Sequence, residues 1–208
     1  MKVLLKKFTL SLFLLCFVAN FAVALEPQKA ADFAEGIIKI ASQTASDNSI
    51  SKAKKIAKLT DLFSSTYDIK TAAKFSLGTE WRNISEEQRE SFTQAYKTYL
   101  VAAQTNNVVS FLSGFLSFKQ ADVSQMSSSS VSIKFNITYK AQDTKIKNIS
   151  LELVVKDGND GMKVFDVIFE GISLLQSQRS EFANIIANKG FDGLLKDLKS
   201  KNKANDAK

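Results

Sequence analysis

The chain has 208 residues, 45% of them hydrophobic, and a formal charge of +7, a size that suits one domain with a sizeable apolar core. It has no histidine and a single cysteine, which excludes disulfides, zinc sites built on these residues and histidine acid–base chemistry. The charge is too modest to indicate a nucleic-acid-binding protein.

Residues 1–24 predict a secretory signal peptide that is cleaved after Ala24. Three lysines precede an apolar run from Phe8 to Val23, which ends in small residues at the cleavage positions. Cys16 follows Leu15, where lipoprotein processing needs a small residue, so we expect Cys16 to leave with the signal peptide. Removal of the three lysines lowers the formal charge from +7 to +4.

The first part of the mature chain predicts helices. Pro27 is tolerated at a helix start, and the apolar stripe after it is helical: Ala30, Ala34, Ile37, Ile38 and Ala41. A second helix carries Leu59 and Phe63 on its apolar side, and four lysines cover its other side: Lys52, Lys54, Lys55 and Lys58. We interpret the lysines as a solvated face, with contact to acidic lipid headgroups or an acidic partner as the alternative.

Capping residues mark the next two helices. Asp68 predicts the start of a short helix that continues through Phe75 and ends at Gly78. The segment Ser85–Gln88 is a capping box and begins a long helix. Asn106 and its neighbour Asn107 predict a kink or break in that helix.

From Phe115 onward the apolar period changes from helical to alternating. It predicts four strands joined by polar turns: Phe115–Val123, Val131–Tyr139, Lys147–Val155 and Met162–Phe169. One face of this antiparallel meander is apolar, so the predicted fold is α+β, with a helical layer on one face of a twisted four-stranded sheet. On the last strand, Phe165, Val167 and Phe169 share the apolar face and Asp166 lies opposite.

Two helices close the chain. Ser173 and Gln176 form a second capping box, and Gly190 predicts the end of the helix that begins there. An amphipathic helix from Phe191 to Leu198 follows, and residues 199–208 predict a mobile basic tail. We therefore expect a single domain over residues 25–198.

Two separated motifs occur in the mature chain. The first comprises Leu77-Gly78, Trp81-Arg82, Ser85, Glu87-Gln88-Arg89 and Phe92. The second comprises Asp166-Val167-Ile168, Glu170-Gly171-Ile172-Ser173-Leu174, Arg179-Ser180, Phe182 and Gly190-Phe191-Asp192-Gly193-Leu194. In this order, behind a signal peptide, they resemble the MlaC family of periplasmic phospholipid-binding proteins, which serve an ABC-type lipid transport system. Many members have Tyr where Leu151 stands and Trp where Met162 stands.

The resemblance implies an NTF2-like cone with acyl chains held between the helices and the sheet. It implies a monomeric periplasmic carrier that maintains outer-membrane lipid asymmetry, with phospholipid as its ligand and without cofactor, metal or catalytic residues. The implied partners are an outer-membrane lipoprotein complex and an inner-membrane ABC transporter with a lipid-binding subunit. The candidate lipid-binding residues are Phe75, Trp81, Tyr96, Leu100, Phe135, Phe165, Val167, Phe169, Ile172, Phe182 and Ile186. Core packing is the alternative role for each of them.

Arg179 is the candidate phosphate contact, although an ion pair with Asp166 or Glu170 is the favoured interpretation. Two other functions stay open at this point. An enzyme on this fold would use Asp166 or Glu170 as a general base, and a ligand-free adaptor would have a filled core.

Overall fold

The computed structural model describes residues 24–111, 114–140, 145–158 and 160–206, so the predicted signal peptide, apart from Ala24, lies outside the described residues. The described helices are α1 (Pro27–Ser46), α2 (Lys52–Thr66), α3 (Ile69–Leu77), α4 (Glu80–Asn83), α5 (Glu86–Phe111) and α6 (Leu174–Asp206). The described strands are β1 (Phe115–Ser127), β2 (Ser130–Lys140), β3 (Ile146–Gly158), β4 (Gly161–Phe169) and β5 (Ile172–Ser173).

The helix starts follow their capping residues. Asp68 accepts a hydrogen bond from the Thr71 amide at the start of α3. The box at α5 is complete, since the Gln88 amide donates to the Ser85 hydroxyl and the Ser85 amide donates to the Gln88 side chain. At α6 only half of the predicted box forms. The Ser173 hydroxyl accepts from the Gln176 backbone amide, and it donates its own proton to Asp166, but the Gln176 side chain makes no hydrogen bond to the Ser173 amide.

Two predictions about the helices are wrong. Helix α5 runs unbroken through Asn106 and Asn107, because tertiary contacts with α2, α3 and α6 outweigh the weak helix propensity of asparagine. The predicted mobile tail continues α6 as far as Asp206. Asn202 anchors it there, since its side chain is buried and donates to the carbonyl of Ala95 on α5 at 2.9 Å.

The predicted end of a helix at Gly190 is confirmed. Its φ of 70° and ψ of 176° are not helical, and they divide α6 into two helices. The first of these packs against α5, where the fully buried ring of Phe182 meets the rings of Phe92 and Tyr96 edge to face at 6.1 Å.

The sheet confirms the antiparallel meander with helices packed on it, and the two-residue strand β5 adds a fifth strand to the predicted four, in the order β1-β2-β3-β4-β5. The inner face carries the alternating apolar residues of β2 and β3, such as Phe135 opposite Leu151. In β4 the alternation fails at one point. Asp166 pairs with Val154 but Val164 pairs with Val155, so Phe165 is an extra residue in a β-bulge.

The bulge changes the direction of two side chains. Val164 takes the place on the inner face beside Val155, while Phe165 turns to α3 and packs edge to face on Phe75 at 5.7 Å. Asp166 keeps its pairing with Val154, on the side of the strand away from Val167 as predicted, and its carboxylate points to the start of α6.

Candidate functional site

An apolar cavity of about 490 Å³ lies between the helices and the inner face of the sheet. Helices α1, α2 and α5 form one wall, and strands β2, β3 and β4 form the other. The lining residues are Ile37, Ile38, Ala41, Phe63, Tyr67, Gln104, Asn107, Val108, Ser110, Ile137, Ile149, Leu151, Leu153, Val164, Val167, Phe169 and Leu174. None of these lining residues is charged, so the cavity suits an uncharged, apolar ligand.

The exposure of the lining residues shows which end of the cavity opens to solvent. Asn107 and Ser110 are exposed, and 44% of the surface of Phe169 is exposed to solvent. Phe63, Leu153 and other residues at the opposite end are buried. Ile172, which pairs with Phe169, is 66% exposed, so these two residues form an apolar rim beside the mouth.

A void of about 10 Å³, room for about one water molecule, adjoins the deep end of the cavity. The two spaces share Tyr67, Val167 and Leu174. Burial raises the pKa of Tyr67 and of Tyr96, which also lines the void, so both phenols stay neutral at physiological pH. The Tyr96 hydroxyl donates to the side-chain carbonyl of Gln178 at 2.6 Å.

Asp166 lies at this void, and its oxygens are occupied by hydrogen bonds. It accepts from the Ser173 hydroxyl at 2.5 Å, from the Leu175 amide at 3.0 Å and from the Val167 amide at 2.8 Å. Burial raises the pKa of Asp166, while the hydrogen bonds from Ser173 and Leu175 act in the opposite direction. The carboxylate therefore caps α6, which is a structural role and not that of a free general base.

The structure separates the predicted lipid-binding residues into three groups. Val167 and Phe169 line the cavity, and Tyr96, Leu100 and Phe165 line the small void. The other six do not line the cavity: Phe75, Trp81, Phe135, Ile172, Phe182 and Ile186. Phe135 and Phe182 are fully buried in the core, whereas Ile172 belongs to the rim.

Arg179 forms neither of the predicted ion pairs. Its guanidinium lies over the ring of Phe75, 4.8 Å from the ring centre, and against Gly78. Asp166 is occupied as described, and Glu170 accepts from the Ser150 amide. Arg179 is not among the lining residues, so its predicted phosphate contact stays a prediction.

Sequence reasoning missed most of the lining because it favoured large aromatic residues. The cavity is lined mainly by aliphatic residues, and Ala41 contributes only a methyl group. One signal was present in the sequence. Gln104 and Asn107 interrupt the apolar side of α5, and Asn107, predicted as a kink or break, is instead a polar part of the cavity wall. Leu151, where many family members have Tyr, also lines the cavity.

The described residues offer no other kind of site of two common types, a metal centre and a membrane span. Within the described ranges, no cluster of three or more Asp, Glu, Cys or His residues could hold a metal ion. No helix among the same residues combines the length and apolar character that a membrane span requires.

The chain resembles known proteins in sequence and in fold. A family model described as MlaC protein matches residues 31–200. The fold is similar to that of a phospholipid-binding protein from Ralstonia solanacearum, whose structure was solved in complex with a phospholipid. The TM-score is 0.70 at 17% identity, and the match covers 86% of this chain and 99% of that one. No curated protein matches the chain.

Proposed function

The chain belongs to the MlaC family, and from this premise we propose that it is a periplasmic carrier that holds the acyl part of a phospholipid in its cavity. The family is one of non-enzymatic lipid carriers. The observation that supports the proposal most directly is the uncharged cavity between helices and sheet. The similar fold from Ralstonia solanacearum binds a phospholipid, which agrees with this ligand.

The volume of the cavity suits an acyl chain. An apolar cavity of about 150 Å³ holds a benzene ring, which corresponds to about 25 Å³ per carbon atom. The 490 Å³ observed here then has room for about 20 carbon atoms by the same measure, which is one whole chain of a common phospholipid. We infer that the second chain lies along the apolar rim of Phe169 and Ile172.

The energetics suit transport as well as binding. Twenty methylene-sized groups removed from water contribute about 16 kcal/mol at about 0.8 kcal/mol each. A bilayer solvates the same chain about as well, so exchange with a membrane is close to balanced. Direction must therefore come from partners, which we propose to be an outer-membrane lipoprotein complex and an inner-membrane ABC transporter with a lipid-binding subunit.

Organic extraction and mass spectrometry of the purified protein test this function. We expect about one phospholipid per chain, and an increase in melting temperature when lipid is returned to the extracted protein. If the protein purifies without lipid and its melting temperature does not change when phospholipid is added, the proposal is wrong, and the protein would instead be an adaptor with an empty cavity.

A further inference from the structure

One buried polar side chain faces the cavity without a partner of its own. Gln104 on α5 is only 8% exposed and belongs to the lining. Its side-chain amide makes no hydrogen bond with any residue that the structure describes, and its nitrogen and oxygen are not fully enclosed by protein, so they border the open space of the cavity. Gln178, the other glutamine that is buried in the described part of the chain, accepts a hydrogen bond from the Tyr96 hydroxyl at 2.6 Å. The amide of Gln104 is therefore left for whatever fills the cavity, whereas Gln178 is satisfied within the protein.

The position of Gln104 relative to the mouth indicates what its partner is. Asn107 is three residues further along the same side of α5 and is exposed at the mouth. With a rise of about 1.5 Å per residue, Gln104 lies roughly 4 to 5 Å before Asn107 along the axis of α5, and it is buried where Asn107 is exposed. Beyond it, towards Phe63 and Leu153, the lining is aliphatic and aromatic.

This order matches the order of groups along a phospholipid that enters chain first. Its charged headgroup stays in solvent, its glycerol lies at the mouth, and its ester carbonyls lie just inside, ahead of the hydrocarbon. An ester carbonyl only accepts hydrogen bonds, and a glutamine amide offers two N–H donors. A carboxylate at the same depth would find no cation among the lining residues, so a neutral ester fits better than a free fatty acid.

We propose that the Gln104 amide donates a hydrogen bond to an ester carbonyl of the bound lipid, and that it makes the cavity selective for ester-linked over ether-linked phospholipids. The inference rests on the proposed function and adds to it the chemical class of lipid that the cavity prefers.

The test compares two lipids that differ only in the carbonyls. Lipid-free protein is incubated with vesicles that contain equal amounts of dipalmitoyl phosphatidylglycerol and its di-O-hexadecyl analogue, and the bound lipids are quantified by mass spectrometry. We expect the wild type to take up about five times as much ester lipid as ether lipid, because one net hydrogen bond changes a binding constant by about this factor. In Gln104→Leu the preference should disappear while uptake of the ether lipid is retained.

The control is Gln94→Leu, an exposed glutamine on the same helix, which should keep the wild-type preference. Leucine at position 104 fits an apolar lining, and Gln104→Met serves as a second variant if Gln104→Leu does not fold. Equal uptake of both lipids by the wild type, or an ester preference that persists in Gln104→Leu, would overturn this inference alone. A wild type that takes up neither lipid would overturn the proposed function and the inference together.

Discussion

Ala41→Phe tests whether the cavity is where the lipid binds. Ala41 lies on α1 and is 5% exposed, and its methyl group lines the cavity. The substitution adds one phenyl ring, which needs about 150 Å³ and so fills about a third of the 490 Å³. About six carbon atoms of a bound chain lose their place, which at about 0.8 kcal/mol each weakens binding by about 5 kcal/mol.

Lipid content per folded chain is measured by extraction and mass spectrometry, and the fold by circular dichroism. We expect Ala41→Phe to be folded but nearly free of sixteen-carbon lipids. Its uptake of lipids with eight-carbon chains should fall much less, because a short chain does not need the space that the ring fills. Gln43→Phe, which adds a ring at an exposed position of the same helix, should bind lipid as the wild type does. A folded Ala41→Phe protein with wild-type content of sixteen-carbon lipid would refute the assignment of the cavity.

Three further predictions concern residues outside the cavity. Phe182→Ala removes a fully buried ring from the contact of α5 and α6, so urea unfolding should show a loss of about 3–5 kcal/mol, with unchanged lipid content in the folded fraction. Arg179→Ala removes the cation over Phe75 and should cost about 0.5–1 kcal/mol in the same assay; loss of copurifying phospholipid would instead support a phosphate contact. Burial raises the pKa of Asp166 in the folded protein, so the folded state favours the protonated carboxyl. The resulting contribution to the free energy of unfolding is complete below the unfolded pKa of about 4 and is lost as the pH rises through the folded pKa. Thermal melts should therefore show Asp166→Asn gaining stability relative to the wild type over that pH range, and a constant difference would contradict this reasoning.

The sequence predicts the element types well because each is encoded locally. Asp68, Ser85 and Gly190 act on the backbone of their own turn, and the structure shows all three at the helix ends predicted from them. The alternation along β2 and β3 likewise follows from neighbouring residues alone. Local signals of this kind need no knowledge of what packs against them.

The bulge at Phe165 shows where local reasoning fails. A strict period of two places Phe165 on the inner face and Asp166 on the outer one. The extra residue turns Phe165 away and puts Val164 on the inner face, while Asp166 keeps its pairing with Val154 and its carboxylate becomes the cap of α6. The favourable interaction with Ser173 and Leu175 is made only after the chain has turned, so the strand sequence by itself cannot reveal it.

The cavity is harder still to predict, because it consists of what the side chains leave unfilled. Large aromatic residues are the predicted lipid contacts, but a large ring also fills space in a protein core. Phe135 and Phe182 do this, since both are fully buried. Space remains where short side chains from separate elements face one another, as Ala41 faces the sheet. A polar residue that interrupts an apolar helix face is the better sequence signal of such a space, since Gln104 is tolerated only where a ligand or water can reach it.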